Sequence, residues 1–121
     1  MDDMRIILST LWVATMLTYL LGDVLRIFSG DFVAGEISGI KATQQMWMMA
    51  ALLMLIPIVM VVFSMLAPFP LNRWVNIAAA VVLFIVNIVG IPGYPGIYDK
   101  FLIVVSLGFN VLVIWFAWNW V

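Results

Sequence analysis

The sequence predicts an all-α integral membrane protein, a four-helix transmembrane bundle threaded up-down-up-down, and three observations predict it. Of its 121 residues 67% are hydrophobic and 9% are charged, with a mean hydropathy of +1.24. A soluble domain is about half apolar and about a quarter charged, so this chain has too little polar surface to cover a globule in water. The apolar residues also fall into four runs, each of about 20 residues or more, the length a helix needs to cross a bilayer. Short segments rich in glycine, proline and charge separate the runs, and short links place consecutive helices antiparallel.

Helix 1 is expected at about 5–28, a length of roughly 34 Å at 1.5 Å per residue. Its start carries Asp2 and Asp3 and no small-x-small cleavage pattern follows, so it reads as a retained span rather than a signal peptide. The link Ser29-Gly30-Asp31 to Lys41 holds three glycines and two acids. A short interfacial helix capped by Asp31 fits it, with Phe32, Val33, Ile37 and Ile40 leaning on the bilayer.

Helix 2 is expected at about 42–66 with Pro57 in its interior, which membranes tolerate because neighbouring helices and local adjustment satisfy the freed carbonyl. A kink is expected in the turn before it. Ala67-Pro68-Phe69-Pro70 ends this helix, since each proline restricts the residue before it. Helix 3 is expected at about 71–91, capped by Asn72, and closes on the breakers Gly90-Ile91-Pro92-Gly93-Tyr94-Pro95-Gly96. Helix 4 is expected at about 97–120, with Asp99 in its first turn where an acid suits the dipole. The whole chain, 1–121, reads as one domain.

Four spans put both termini on one face, side A. Arg5, the turn at 68–73, Trp74 and the tail Trp115, Trp118 and Trp120 belong there. Arg26, Asp31, Glu36, Lys41, Tyr94, Tyr98, Asp99 and Lys100 belong to the opposite face, side B. Trp12, Trp47 and Trp74 stand where aromatic belts belong. Two cations on one side against three on the other do not fix orientation. A fixed topology with both termini inside and a dual topology in antiparallel dimers are both compatible with the charges.

The polar positions of the spans carry the functional reading. Asp23 and Arg26 stand at i and i+3, the order that favours pairing, near the side B end of helix 1. An interfacial pair with a snorkelling arginine is the structural reading, and the floor of a site is the functional one. Thr15, Tyr19 and Arg26 share a stripe that faces other helices, with the threonine hydroxyls bonded back to the preceding turn. Gln44 and Gln45 open helix 2 on side B, and Asn87 closes helix 3 there. With Tyr19, Asp23, Tyr94, Tyr98 and Asp99 they are expected to form a shallow polar cup. Its ligand-binding residues are expected to be Asp23, Arg26, Tyr19, Gln45 and Asn87, with Thr15 and Tyr19 as the deep wall.

Asn76 and Asn110 lie inside spans and are expected to join helices by hydrogen bonds. Ala78–Ala80 and Gly108 allow close packing. A thin core favours a homodimer or larger homo-oligomer, and lipid is the other expected partner.

Several chemistries are disfavoured. With no cysteine and no histidine there is no thiol nucleophile, imidazole base, disulfide or Cys/His metal site. No cofactor, metal or catalytic set is expected, and the chain reads as a non-enzyme. The net charge of -1 and the lack of a basic stretch argue against nucleic acid. Two function classes remain: a protein that binds or transports a small molecule through the cup, and a structural or accessory membrane subunit.

The segments Ser9-Thr10-Leu11-Trp12, Tyr19-Leu20-Leu21-Gly22-Asp23-Val24, Ile56-Pro57-Ile58-Val59-Met60-Val61, Asn72-Arg73-Trp74-Val75-Asn76-Ile77 and Ile114-Trp115-Phe116-Ala117-Trp118 together carry a resemblance. The chain resembles a family of small bacterial four-span membrane proteins catalogued as a domain of unknown function. The resemblance covers most of the chain and implies a bacterial inner-membrane protein with both termini inside. It brings no activity. In the family pattern an acid often precedes the Ile-Pro of helix 2; Leu55 stands there in this chain, which weakens a proton-coupled reading. A likeness to the small multidrug transporters goes no further than size and span number. Those need a glutamate in mid-helix 1, where this chain has Thr15 or Met16.

Overall fold

A computed structural model describes residues 3–30, 35–37, 40–93 and 96–120. Its four long helices are α1 (Asp3–Ser29), α2 (Gln44–Leu66), α3 (Leu71–Gly90) and α4 (Ile97–Trp118). All four are long and apolar enough to cross a membrane. The protein is an all-α four-helix bundle, and its spans make it a multi-pass membrane protein.

Each helix buries a narrow stripe and leaves the rest of its surface apolar and outward. On α4 the buried residues are Asp99, Ile103, Ser106, Asn110, Val113 and Ala117, alternating by four and three. This is the seam of near-parallel helix packing. On α1 Leu8, Trp12, Thr15 and Gly22 keep the same spacing, and on α3 Asn72, Asn76, Ala80 and Leu83 come close to it. Leu17, Leu52, Val62, Val82, Val104 and Val111 are among the exposed aliphatics. In water such a surface would aggregate; in lipid it is the ordinary outside of a bundle.

The helices form a ring in which α1 packs on α2 and α4, and α3 packs on α4. The contact between α2 and α3 is much slighter, although four residues join them. Their hydrogen bonds lie at the turn end, where Ser64 donates to Asn76 Oδ1 at 3.1 Å and Asn72 donates to the Ser64 carbonyl at 2.8 Å.

The apolar core sits toward side A. It gathers Leu8, Trp12, Met60, Ala80, Leu83, Val113, Ala117 and Trp120. A polar network runs through it. Trp12 Nε1 donates to Asn76 Oδ1 at 2.7 Å, and Asn76 Nδ2 donates to Asn72 Oδ1 at 2.6 Å. Three spans are thereby tied by amides whose oxygens and nitrogens are all used.

Several expectations are corrected here. Asn72 does not cap α3. It stands inside the first turn and donates to the carbonyls of Ser64 and Ala67, closing the end of α2 instead. The orphan carbonyls at the end of a proline-stopped helix attract the amide more than its own helix does. Trp12 is fully buried and belongs to the core, not to an aromatic belt, because Asn76 offers its N–H a partner. Trp47, Trp74, Trp115 and Trp118 are exposed, as a belt requires, while Trp120 is buried against Phe69. Asn110 is buried, yet neither atom of its amide has a hydrogen-bond partner, so it is not interhelical glue. Gly108 faces open space, so it allows no close approach within one copy of the chain. Thr43 caps α2 by accepting from Met46 N at 3.2 Å, so the helix begins at Gln44, just inside the expected start.

Among its described residues the link between α1 and α2 holds a two-residue antiparallel ladder, so Ile37 and Ile40 belong to strands and not to the expected interfacial helix. Glu36 pairs with Lys41 and Ile37 with Ile40, and Gly30 and Gly35 adopt φ of +83°. Such glycines turn the chain in ways that other residues resist. Asp31, Phe32 and Val33 lie outside the described residues, as does Tyr94.

Both side A arginines close helix ends. Arg5 donates to the carbonyls of Met65 and Ala67 at the end of α2. Arg73 donates to those of Ala117 and Trp118 at the end of α4, at 3.0 and 2.9 Å, and its guanidinium lies over the rings of Trp74 and Trp118. Cations at helix C-termini satisfy orphan carbonyls and oppose the negative dipole end.

Candidate functional site

At the side B end the stripes of α1, α3 and α4 carry polar residues instead of core, and a cavity of about 210 Å³ lies between the helices. From α1 it is lined by Thr18, Tyr19, Gly22, Asp23 and Arg26. Helix α4 adds Asp99, Leu102 and Ile103, and α3 adds Leu83, Val86 and Asn87. Ala50, Leu53 and Met54 of α2 complete an apolar wall.

Arg26 organises the polar side. Its Nη1 donates to Asp99 Oδ1 at 2.8 Å, and its Nη2 pairs with Asp23 Oδ1 one turn earlier on the same helix. The two acids differ. The Asp23 side chain is 45% exposed and sits at the lip, whereas that of Asp99 is 1% exposed. The second oxygen of Asp99, Oδ2, is buried and has no hydrogen-bond partner. Gly22 faces α4 at this level, where a Cβ would stand at ordinary contact distance, 3.7 Å from Arg26 Nη1 and from Leu102 and 3.8 Å from Asp99 Oδ1. Tyr19 and Asn87 make the opposite corner, the amide donating to the phenol oxygen at 2.6 Å. Ser29 and Tyr98 share a hydrogen bond of 2.7 Å at the rim.

The structure places four of the five expected ligand-binding residues, Tyr19, Asp23, Arg26 and Asn87, on this one cavity. Gln45 is not among its lining residues and is exposed. It stands five residues before Ala50, a rotation of about 140° around the helix from the inward face. Gln44 is exposed as well. Thr15 is buried, with its hydroxyl bonded to the Leu11 carbonyl at 2.9 Å, and Thr18 rather than Thr15 reaches the cavity. Both threonines bond back to the preceding turn, Thr18 to Ala14 at 2.8 Å.

Asp99 is the residue whose part sequence reasoning underrated. Its place in the first turn of a helix explains an acid without any site. The available signal was its register: Asp99, Ser106 and Asn110 fall on one buried stripe with Ile103.

The fold and this cup define a class: a small multi-pass membrane protein of four spans with a polar recess at one end of an apolar bundle. Within that class the chain belongs to the family of unknown function DUF6326, whose sequence model matches residues 1–121. No curated protein and no solved structure matches the chain.

Proposed function

We propose that the protein binds a small molecule in the side B cup, and transports or presents it at that membrane face, without converting it chemically. The observation that carries this reading is the cavity itself. It joins charged groups of α1 and α4 to an apolar wall of α2 and α3, the usual make-up of a small-molecule site. The slight α2–α3 contact offers a route from the bilayer into that wall. In this reading the protein sits in a bacterial inner membrane with both termini in the cytoplasm, as the family resemblance implies. It works as a homodimer or larger assembly, for which exposed Gly108 and Ala78 are available contact points.

The absence of cysteine makes a direct test simple. Single cysteines are introduced at Met54, which lines the cup, and at Leu52, which is exposed on the outer face of the same helix. In lipid nanodiscs a water-soluble methanethiosulfonate reagent is expected to label Met54→Cys and to leave Leu52→Cys unlabelled. If Met54→Cys reacts only after unfolding in dodecyl sulfate, the cup is closed and the structural-subunit reading replaces this one.

A further inference from the structure

The cup does not balance its own charge. Asp23 and Asp99 face one guanidinium, Arg26, which leaves one negative charge in excess among the described lining residues. The excess is best located on Asp99. One of its oxygens is held by Arg26, while Oδ2 is buried without a donor. A buried acceptor that lacks a partner costs free energy, and more so when it is charged and walled by aliphatic side chains. A ligand that brings a positive charge into the cup beside Asp99 offsets this excess.

We infer that the cup takes an amphipathic monocation, an ammonium group on an apolar body, whose positive charge is answered by the excess carboxylate charge of Asp99 and Asp23. This rests on the reading of the cup as a binding site and names its ligand class. The apolar body lies against Leu53, Met54, Leu83 and Val86, and the ammonium points toward α4. An anion meets two carboxylates there and is repelled. A bare divalent cation is a poor occupant, since hard cations want about six or more oxygen ligands and no three acids come together among the described residues. The ammonium has two sources with the same chemistry, a free amphipathic amine or the headgroup of an aminophospholipid.

The test uses the full-length Met54→Cys protein in nanodiscs of phosphatidylglycerol. Two methanethiosulfonate reagents of similar size are compared, one carrying an ethylammonium and one an ethylsulfonate, each rate divided by its rate with 2-mercaptoethanol. The cationic reagent is expected to win by about tenfold, the effect of roughly 1.4 kcal/mol of Coulomb attraction. Adding Asp99→Asn should remove most of that preference, and Asp23→Asn, at the exposed lip, less of it. Should Asp99→Asn fail to elute as a folded protein, Arg26→Gln decides: it deepens the charge excess and should raise the preference.

Phenethylammonium should protect the cysteine, while neutral 2-phenylethanol and anionic 3-phenylpropanoate should not. Protection in nanodiscs containing phosphatidylethanolamine, with no amine added, assigns the headgroup as the source; protection by the added amine alone assigns a free amine. Equal or anion-favouring rates, or protection by the alcohol as good as by the amine, overturn the inference while leaving the cup accessible. A cysteine that reacts with neither reagent overturns the cup and the inference together.

Discussion

The two ends of the bundle treat polar residues in opposite ways. At side A the amides of Asn72 and Asn76 and both arginines are answered within the chain, Asn110 of α4 being the exception: Trp12, Ser64, Asn72 and Asn76 close on one another, and Arg5 and Arg73 close the ends of α2 and α4. At side B the same kind of residues surround a cavity and leave a carboxylate oxygen without a donor. The difference teaches what a polar residue in a span is for. Where donors and acceptors match in number, the residues join helices; at side B charge and volume are left over, and the proposed ligand would use them.

This contrast can be broken by substitution, and the side A network should give the largest effect. Asn76→Ala strands the Trp12 N–H and the Ser64 hydroxyl, and is expected to cost about 2–3 kcal/mol in dodecyl sulfate unfolding. If Asp99→Asn destabilises the protein as much as Asn76→Ala does, side B is a structural joint as well and the contrast fails. Arg73→Gln should lose about 1 kcal/mol, as expected for removing a cation from a helix C-terminus, with Trp118 fluorescence shifting as its cation contact is lost.

Smaller changes sharpen the picture. Gly22→Ala should be nearly neutral, because its methyl would meet Arg26, Leu102 and Asp99 at ordinary contact distance. Gly22→Leu should push α4 away and lower the labelling selectivity of the cup without unfolding the side A network. The smallest effect is expected at Gly108→Ala: the added methyl meets nothing, and monomer stability should rise by at most about 1 kcal/mol from backbone propensity. A change in oligomer size on gel filtration would instead place Gly108 in a contact between copies.

The motifs that carry the family resemblance divide along the same line. Asn72-Arg73-Trp74-x-Asn76 is wholly a side A device: one amide closes α2, the guanidinium closes α4, the indole stacks beneath that guanidinium, and the second amide links α1 to α2. Tyr19 to Val24 supplies three lining residues of the cup, Tyr19, Gly22 and Asp23, and Arg26 follows on the same helix. Leu55 is exposed on the outer face of α2, so an acid at that position would not reach the cup from this helix orientation.

The sequence by itself determined the four spans, their antiparallel order and the pairing of Asp23 with Arg26, because run length, breakers and i,i+3 spacing are local quantities. It also placed Tyr19, Arg26 and Asn87 at side B, since rise per residue gives depth. Register around each helix was legible only in part: it put Arg26 and Tyr19 on an inward stripe, but the all-apolar α2 shows no polar face from which to see that Gln45 turns outward. Tertiary structure decided which stripes meet. Asp99 and Arg26 are 73 residues apart, and their bond exists because α1 and α4 pack against each other. The same packing decided that Asn72 serves α2, that Trp12 is core, and that Asp99 keeps an oxygen free of donors. Such facts depend on neighbours in space, and no local count along the chain contains them.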